Sequence, residues 1–156
     1  MNPAVLLVED LENDVFLVKR SWKIEAVPAA LHVVMDGKAA VSYLAGDGEF
    51  ADRKIHPFPC LVLLDLKLPR LRGLDVLAWI RSQESCKTLP VLVLTSSALQ
   101  SDVDQAYQLG ANAFLVKPSD IHELDNLVRL IRDFWLRANH FPRMNADIAE
   151  AGMAVH

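Results

Sequence analysis

The chain contains 156 residues, 52% of them hydrophobic and 23% charged, with a formal net charge of -4. That length suits one domain with a full core and is too short for two, and so apolar a composition excludes a disordered chain. The acidic balance excludes a general attraction to nucleic acid or to a membrane surface, both of which need surplus Lys and Arg on one face. Cys60 and Cys86 lack metal-ligand spacing and read as small apolar fillers in a reducing, cytoplasmic setting. The opening MNPAVLLVED meets acids directly after a short apolar run, so it does not read as a signal peptide, and no later run is long enough to span a membrane.

Taken in chain order, five short apolar runs alternate with helix-like stretches. The runs are AVLLV at 4–8, LHVVM at 31–35, CLVLL at 60–64, VLVL at 91–94 and AFLV at 113–116. Four of them lack polar alternation, which marks strands buried on both faces, as in a parallel sheet covered by helices. Between them, Val76, Leu77 and Ile80 after Gly73, and Val103, Ala106 and Leu109 before Gly110, follow a helical period. The expected fold is therefore α/β, a doubly wound five-stranded parallel sheet with helices on both faces, (βα)5. Residues 46–59 form a long connection bounded by turn formers.

The last helix is expected from about Ile121 to Phe141. Ile121, Leu124, Val128, Ile131 and Trp135 form one apolar stripe, and Leu127, Leu130 and Phe134 form a second beside it. That is more than one buried face needs, so the second stripe is expected to lie under the tail or in a symmetric dimer. Residues 1–141 then make the domain, and 142–156 a tail too short for an output domain.

Ligand sites in such sheets lie at the carboxyl ends of the strands, where strand order reverses. Glu9 and Asp10 follow the first strand, Asp65 the third, Thr95 the fourth and Lys117 the fifth, so all five side chains are expected on one edge. Three carboxylates meeting there repel one another unless a cation compensates. A hard divalent ion is implied, and magnesium suits a site of few carboxylates, retained waters and a phosphate oxygen. A carboxylate oxygen of Asp65 could then attack phosphorus, with the metal, Lys117 and the Thr95 hydroxyl offsetting charge on the transferred group.

VLLVED, LLDLKLPRLRGLDVL, VLVLTSS and ANAFLVKP together resemble the receiver domain of two-component signalling proteins, over roughly residues 4–138. The resemblance implies a flavodoxin-like strand order, 2-1-3-4-5, and phosphorylation of Asp65 by a sensor histidine kinase. It implies a metal held by Glu9, Asp10, Asp65 and the backbone carbonyl of Lys67, and contact of Thr95 and Lys117 with the phosphoryl group. It also implies a cis peptide between Lys117 and Pro118, an aromatic switch at Phe114, and a signalling switch rather than an enzyme. LKLPRLRGLDVL, AYQLGANAFLVKP and the long loop before the third strand resemble single-domain receivers that partner phytochromes, although Leu11 and Glu12 stand where many of that group have Asn and Pro. That closer likeness implies a phytochrome-type kinase and a homodimer through the last helix and fifth strand.

Blander readings stand beside these. Asp14 suits the dipole of a first helical turn, Ser96 and Ser97 suit a helix start, and Phe114 suits ordinary core packing. None of the five histidines has catalytic spacing. A strand-end phosphatase would want an acid where Lys67 stands, and a flavin module would want a phosphate loop where Glu9 and Asp10 stand. The remaining alternative is a receiver-like interaction module that is never phosphorylated.

Overall fold

Strands β1 (Ala4–Val8), β2 (Ala30–Val34), β3 (Leu61–Leu64), β4 (Val91–Thr95) and β5 (Ala113–Val116) form at the five apolar runs. Helices α1 (Glu12–Ile24), α2 (Gly37–Ala45), α3 (Gly73–Ser82), α4 (Gln100–Gln108) and α5 (Ile121–Leu130) alternate with them. A computed structural model describes residues 3–144. Every strand pairing is parallel and the order is β2-β1-β3-β4-β5, so the winding reverses between β1 and β3.

Successive side chains of a strand face opposite sides, and the continuous apolar runs exploit this by feeding two cores at once. Leu6, Val8, Val62 and Leu64 pack with Val76, Leu77 and Ile80 of α3 and Ala106 of α4. Val5, Leu7, Leu61 and Leu63 pack on the other side with Val18 and Trp22 of α1 and Leu124, Val128 and Ile131 of the last helix. All positions of β1, β3 and β4 are buried. Each such Val or Leu contributes about 1.5–3 kcal/mol of transfer free energy. β2 forms one edge and is buried only at Val34, which accounts for its more polar sequence.

Arg53 and Tyr43 hold the long connection before β3. Arg53 donates to the carbonyls of Tyr43, Leu44 and His56 at 2.7, 2.9 and 3.3 Å, satisfying the C-terminal end of α2, and its guanidinium stacks near the rings of Tyr43 and Phe58. The Tyr43 hydroxyl donates to the Pro57 carbonyl at 2.9 Å.

The final helix differs from the expected single α-helix. It is α-helical only to Leu130 and continues as a π-helix over Ile131–Ala138. The wider turn carries Leu136 as well as Trp135 against the α1 core, while Ile121, expected on the core stripe, is exposed. Of the second stripe, Leu127 is half-buried, whereas Leu130 and Phe134 are 65% and 58% exposed. Phe141 still packs against the α1 side, and Met144 is buried against the opposite core. The rest of the expected tail, residues 145–156, lies outside the described residues. Among those described, no helix is long and apolar enough to cross a membrane.

Candidate functional site

Sheet register sets the site. Hydrogen bonds continue one residue past the strands: the Glu9 amide donates to Val34, the Asp65 amide to Val8 and the Lys117 amide to Thr95, at 3.1, 3.0 and 2.8 Å. The chain is therefore still in register where the acids and the lysine leave the sheet, and their side chains meet at the reversal point between β1 and β3. Gly73 lets α3 start close behind them, since a Cβ there would lie 2.1 Å from the Asp65 carbonyl oxygen.

Carboxylate oxygens of Glu9, Asp10 and Asp65 all lie within 4.8 Å of one another, with Glu9 and Asp65 buried and Asp10 half-buried. The Lys117 ammonium pairs with Glu9 Oε1, with Asp65 Oδ2 at 3.1 Å and with Asp14 Oδ2 at 2.9 Å. Glu9 Oε2 also accepts from the Asp10 amide at 3.0 Å, and Asp65 Oδ1 accepts from the Lys67 amide at 3.3 Å.

One ammonium thus pairs with three carboxylates, with a fourth, Asp10, close to two of them, and the charge surplus shows in the acidities. Burial, reinforced by Asp65 and only partly opposed by Lys117, pushes the Glu9 carboxyl up to about 8. Burial also opposes ionisation of Asp65, but hydrogen bonding with Glu9 and the charge of Lys117 prevail and hold its carboxyl below the usual range. Burial works against charge on Lys117 too, yet Glu9, Asp14 and Asp65 raise its pKa above the ordinary lysine value. So compact a group of hard oxygen donors, with one carboxyl pushed toward its protonated form, suits a cation that would offset the repulsion. The three carboxylates fit a small divalent ion that keeps some of its waters.

Thr95 is fully buried, and its Oγ1 makes no hydrogen bond of normal geometry, although it faces Asp65 closely enough to favour the ionised carboxylate. An unsatisfied buried hydroxyl costs about 1–3 kcal/mol, so it calls for a partner such as a phosphate oxygen. Thr95 does not cap α4, whose N-cap position is Leu99. Ser97 serves that end instead: it donates to Asp102 and accepts from the Leu99 amide. Phe114 is half-buried against the core beneath α2, α3 and α4.

Two sequence expectations need correction. The bond between Lys117 and Pro118 is trans, since no cis peptide occurs among the described residues. Trans is the intrinsically favoured form by roughly 0.5–1 kcal/mol, and the Lys117 ammonium reaches its three carboxylates without the other isomer. Asp14 is not merely a helix-dipole acid but a direct partner of Lys117.

An acid cluster, a basic side chain and a buried hydroxyl without a partner thus meet at the reversal point of a 2-1-3-4-5 sheet, the arrangement of a receiver domain. The chain belongs to the response regulator receiver domain family, whose model matches residues 5–129. It is 38% identical over 139 residues to response regulator Rcp1 of Synechocystis sp., covering 89% of this chain and 92% of that protein. The structure of the phosphorylated cyanobacterial phytochrome response regulator RcpA superposes with a TM-score of 0.85 at 34% identity, covering 92% of this chain and 100% of that one. The Mn2+-bound form of Rcp1 gives a TM-score of 0.81 at 37% identity over 90% and 99% of the two chains.

Proposed function

We propose that this protein is a response regulator that accepts a phosphoryl group on Asp65 from a sensor histidine kinase and thereby switches its binding to partners. The observation that carries the proposal is the placement of the Asp65 carboxylate within reach of both the Lys117 ammonium and the Glu9 and Asp10 carboxylates. In this reading an Asp65 oxygen attacks the phosphorus of a phosphohistidine, the P–N bond breaks, and the imidazole leaves with a proton from solvent. Glu9, Asp10, Asp65 and the Lys67 carbonyl would hold magnesium, which when bound would offset negative charge on the phosphoryl oxygens. Lys117 neutralises a further oxygen, and the unpartnered Thr95 hydroxyl turns to meet another.

Movement of Thr95 opens space behind it for Phe114, which couples the site to the face of β5 and the last helix. On that face Leu127, Leu130 and Phe134 offer an apolar surface for a homodimer. The receiver unit spans residues 1–141 and acts in the cytoplasm, consistent with its two free thiols. Similarity to RcpA, a cyanobacterial phytochrome response regulator, supports a phytochrome-type kinase as the donor. The test is phosphotransfer from radiolabelled, autophosphorylated kinases. Label should pass to the wild-type chain from a phytochrome-type kinase in preference to an unrelated one, and not to Asp65→Asn. Label on both chains alike would sink the phosphoacceptor assignment, and equal transfer from either kinase would sink the phytochrome partnership.

A further inference from the structure

A lysine ammonium has three N–H donors, and Lys117 directs its ion pairs at three acids. Two of them, Glu9 and Asp65, belong to the compact carboxylate group that a cation and a phosphoryl group would claim. Asp14 stands outside that group. It projects from the first turns of α1, a helix fixed to the core by Val15, Val18 and Trp22, so its carboxylate is a stationary point beside a flexible side chain.

A place for that side chain to stray also exists. A cavity of about 200 Å³ opens between α1 and the turn after β5, lined by Leu17, Val18, Ser96 and Ser119 together with Asp14 and Lys117. A divalent cation that drew Glu9 and Asp65 to itself would leave the ammonium with one of its three partners, and a four-carbon stem has ample rotamer freedom to leave.

We propose that Asp14 is a positioning residue, which retains the Lys117 ammonium at the mouth of the site once the cation is bound and so keeps an N–H aimed where the phosphoryl oxygen arrives. The inference rests on the receiver reading of Asp65. Asp14 touches neither metal nor phosphoryl group; it acts through Lys117 alone. Loss of its charge therefore matters only while Lys117 is present.

The experiment is a double-mutant cycle on phosphoryl uptake from phosphoramidate at saturating magnesium, with Asp14→Asn, Lys117→Met and the double variant, beside magnesium titrations and thermal melts. Asp14→Asn should slow uptake about tenfold, the scale of one charge-assisted hydrogen bond. Its melting temperature should stay near that of the wild type, and its magnesium affinity should change less than its rate. In the Lys117→Met background the same substitution should add nothing. Wild-type uptake by Asp14→Asn overturns the inference, as does an equal slowing in both backgrounds, which would mark a role independent of Lys117. If the wild-type chain takes up no phosphoryl group, the receiver reading fails, and the inference is judged on side-chain 15N spectra in magnesium. There, loss of a slowly exchanging Lys117 ammonium signal in Asp14→Asn supports it, and an unchanged signal overturns it.

Discussion

Replacing Gly73 by Ala should disturb both stability and the phosphoacceptor. A Cβ at Gly73 would lie 2.1 Å from the Asp65 carbonyl oxygen and 2.6 Å from the Leu66 Cα, both backbone atoms that cannot rotate aside. The Gly73 amide also donates to the Leu66 carbonyl at 3.0 Å, so helix and loop are tied at the point of overlap. Reaching an ordinary C···O contact requires the gap to open by roughly 1 Å. Overpacking costs about 1–3 kcal/mol, and a backbone-to-backbone clash belongs at the upper end. At about 2–4 °C per kcal/mol for a chain of this size, the melting temperature should fall by roughly 6–12 °C. Gly48→Ala is the control: its φ is +56° and nothing lies within 4 Å, so it carries only the left-handed backbone penalty of about 1–2 kcal/mol. Thermal unfolding followed by circular dichroism, paired with phosphoryl uptake, reads both effects. Gly73→Ala should melt below Gly48→Ala and accept phosphoryl groups more slowly. The reasoning is refuted if Gly73→Ala melts at or above the control and keeps the wild-type rate.

With no cation bound, the Glu9 carboxyl is raised from its ordinary 4.5 to about 8, so the folded state holds a proton that the unfolded state has released. Stability of the metal-free protein should therefore fall as pH rises through that window, and magnesium uptake should release the proton and strengthen toward pH 8; calorimetry in two buffers of unlike ionisation enthalpy would contradict this if affinity were independent of pH. Arg81 donates to the carbonyls of Gly110, Lys87 and Leu89 at 2.7, 3.1 and 2.8 Å and to Asn112 Oδ1 at 3.0 Å, pinning the entry to β5. Arg81→Ala should cost about 3 kcal/mol in denaturant unfolding, and a loss within experimental error would remove it as a structural hub. Leu130→Glu combined with Phe134→Glu should convert a dimer to a monomer in sedimentation experiments without slowing phosphoryl uptake. A wild-type chain that stays monomeric at every concentration would contradict the proposed dimer face.

The legible part of the fold was the part governed by burial. β1, β3 and β4 lie inside the sheet, so both faces of each are apolar and the runs announce themselves. The same strand ends put Glu9, Asp10, Asp65, Thr95 and Lys117 on one edge, because parallel topology alone brings them there. The less legible features depend on contacts between distant segments. Asp14 looks like any acid in a first turn until Lys117, 103 positions away, is seen to reach it. The π-helical end of the last helix leaves no mark in a 3.6-residue pattern that continues past it, and the turn widens where Trp135 and Leu136 both meet the core. The trans bond before Pro118 is a choice between two nearly isoenergetic isomers, set by local surroundings rather than by residue type.

The most direct test of the account is the intact mass of the protein after incubation with acetyl phosphate, with and without magnesium, beside Asp65→Asn. The account predicts one hydroxylamine-labile phosphoryl adduct on the wild-type chain, only when metal is present, and none on the variant. Absence of an adduct with this donor and with phosphoramidate, or an adduct that survives loss of Asp65, would contradict it.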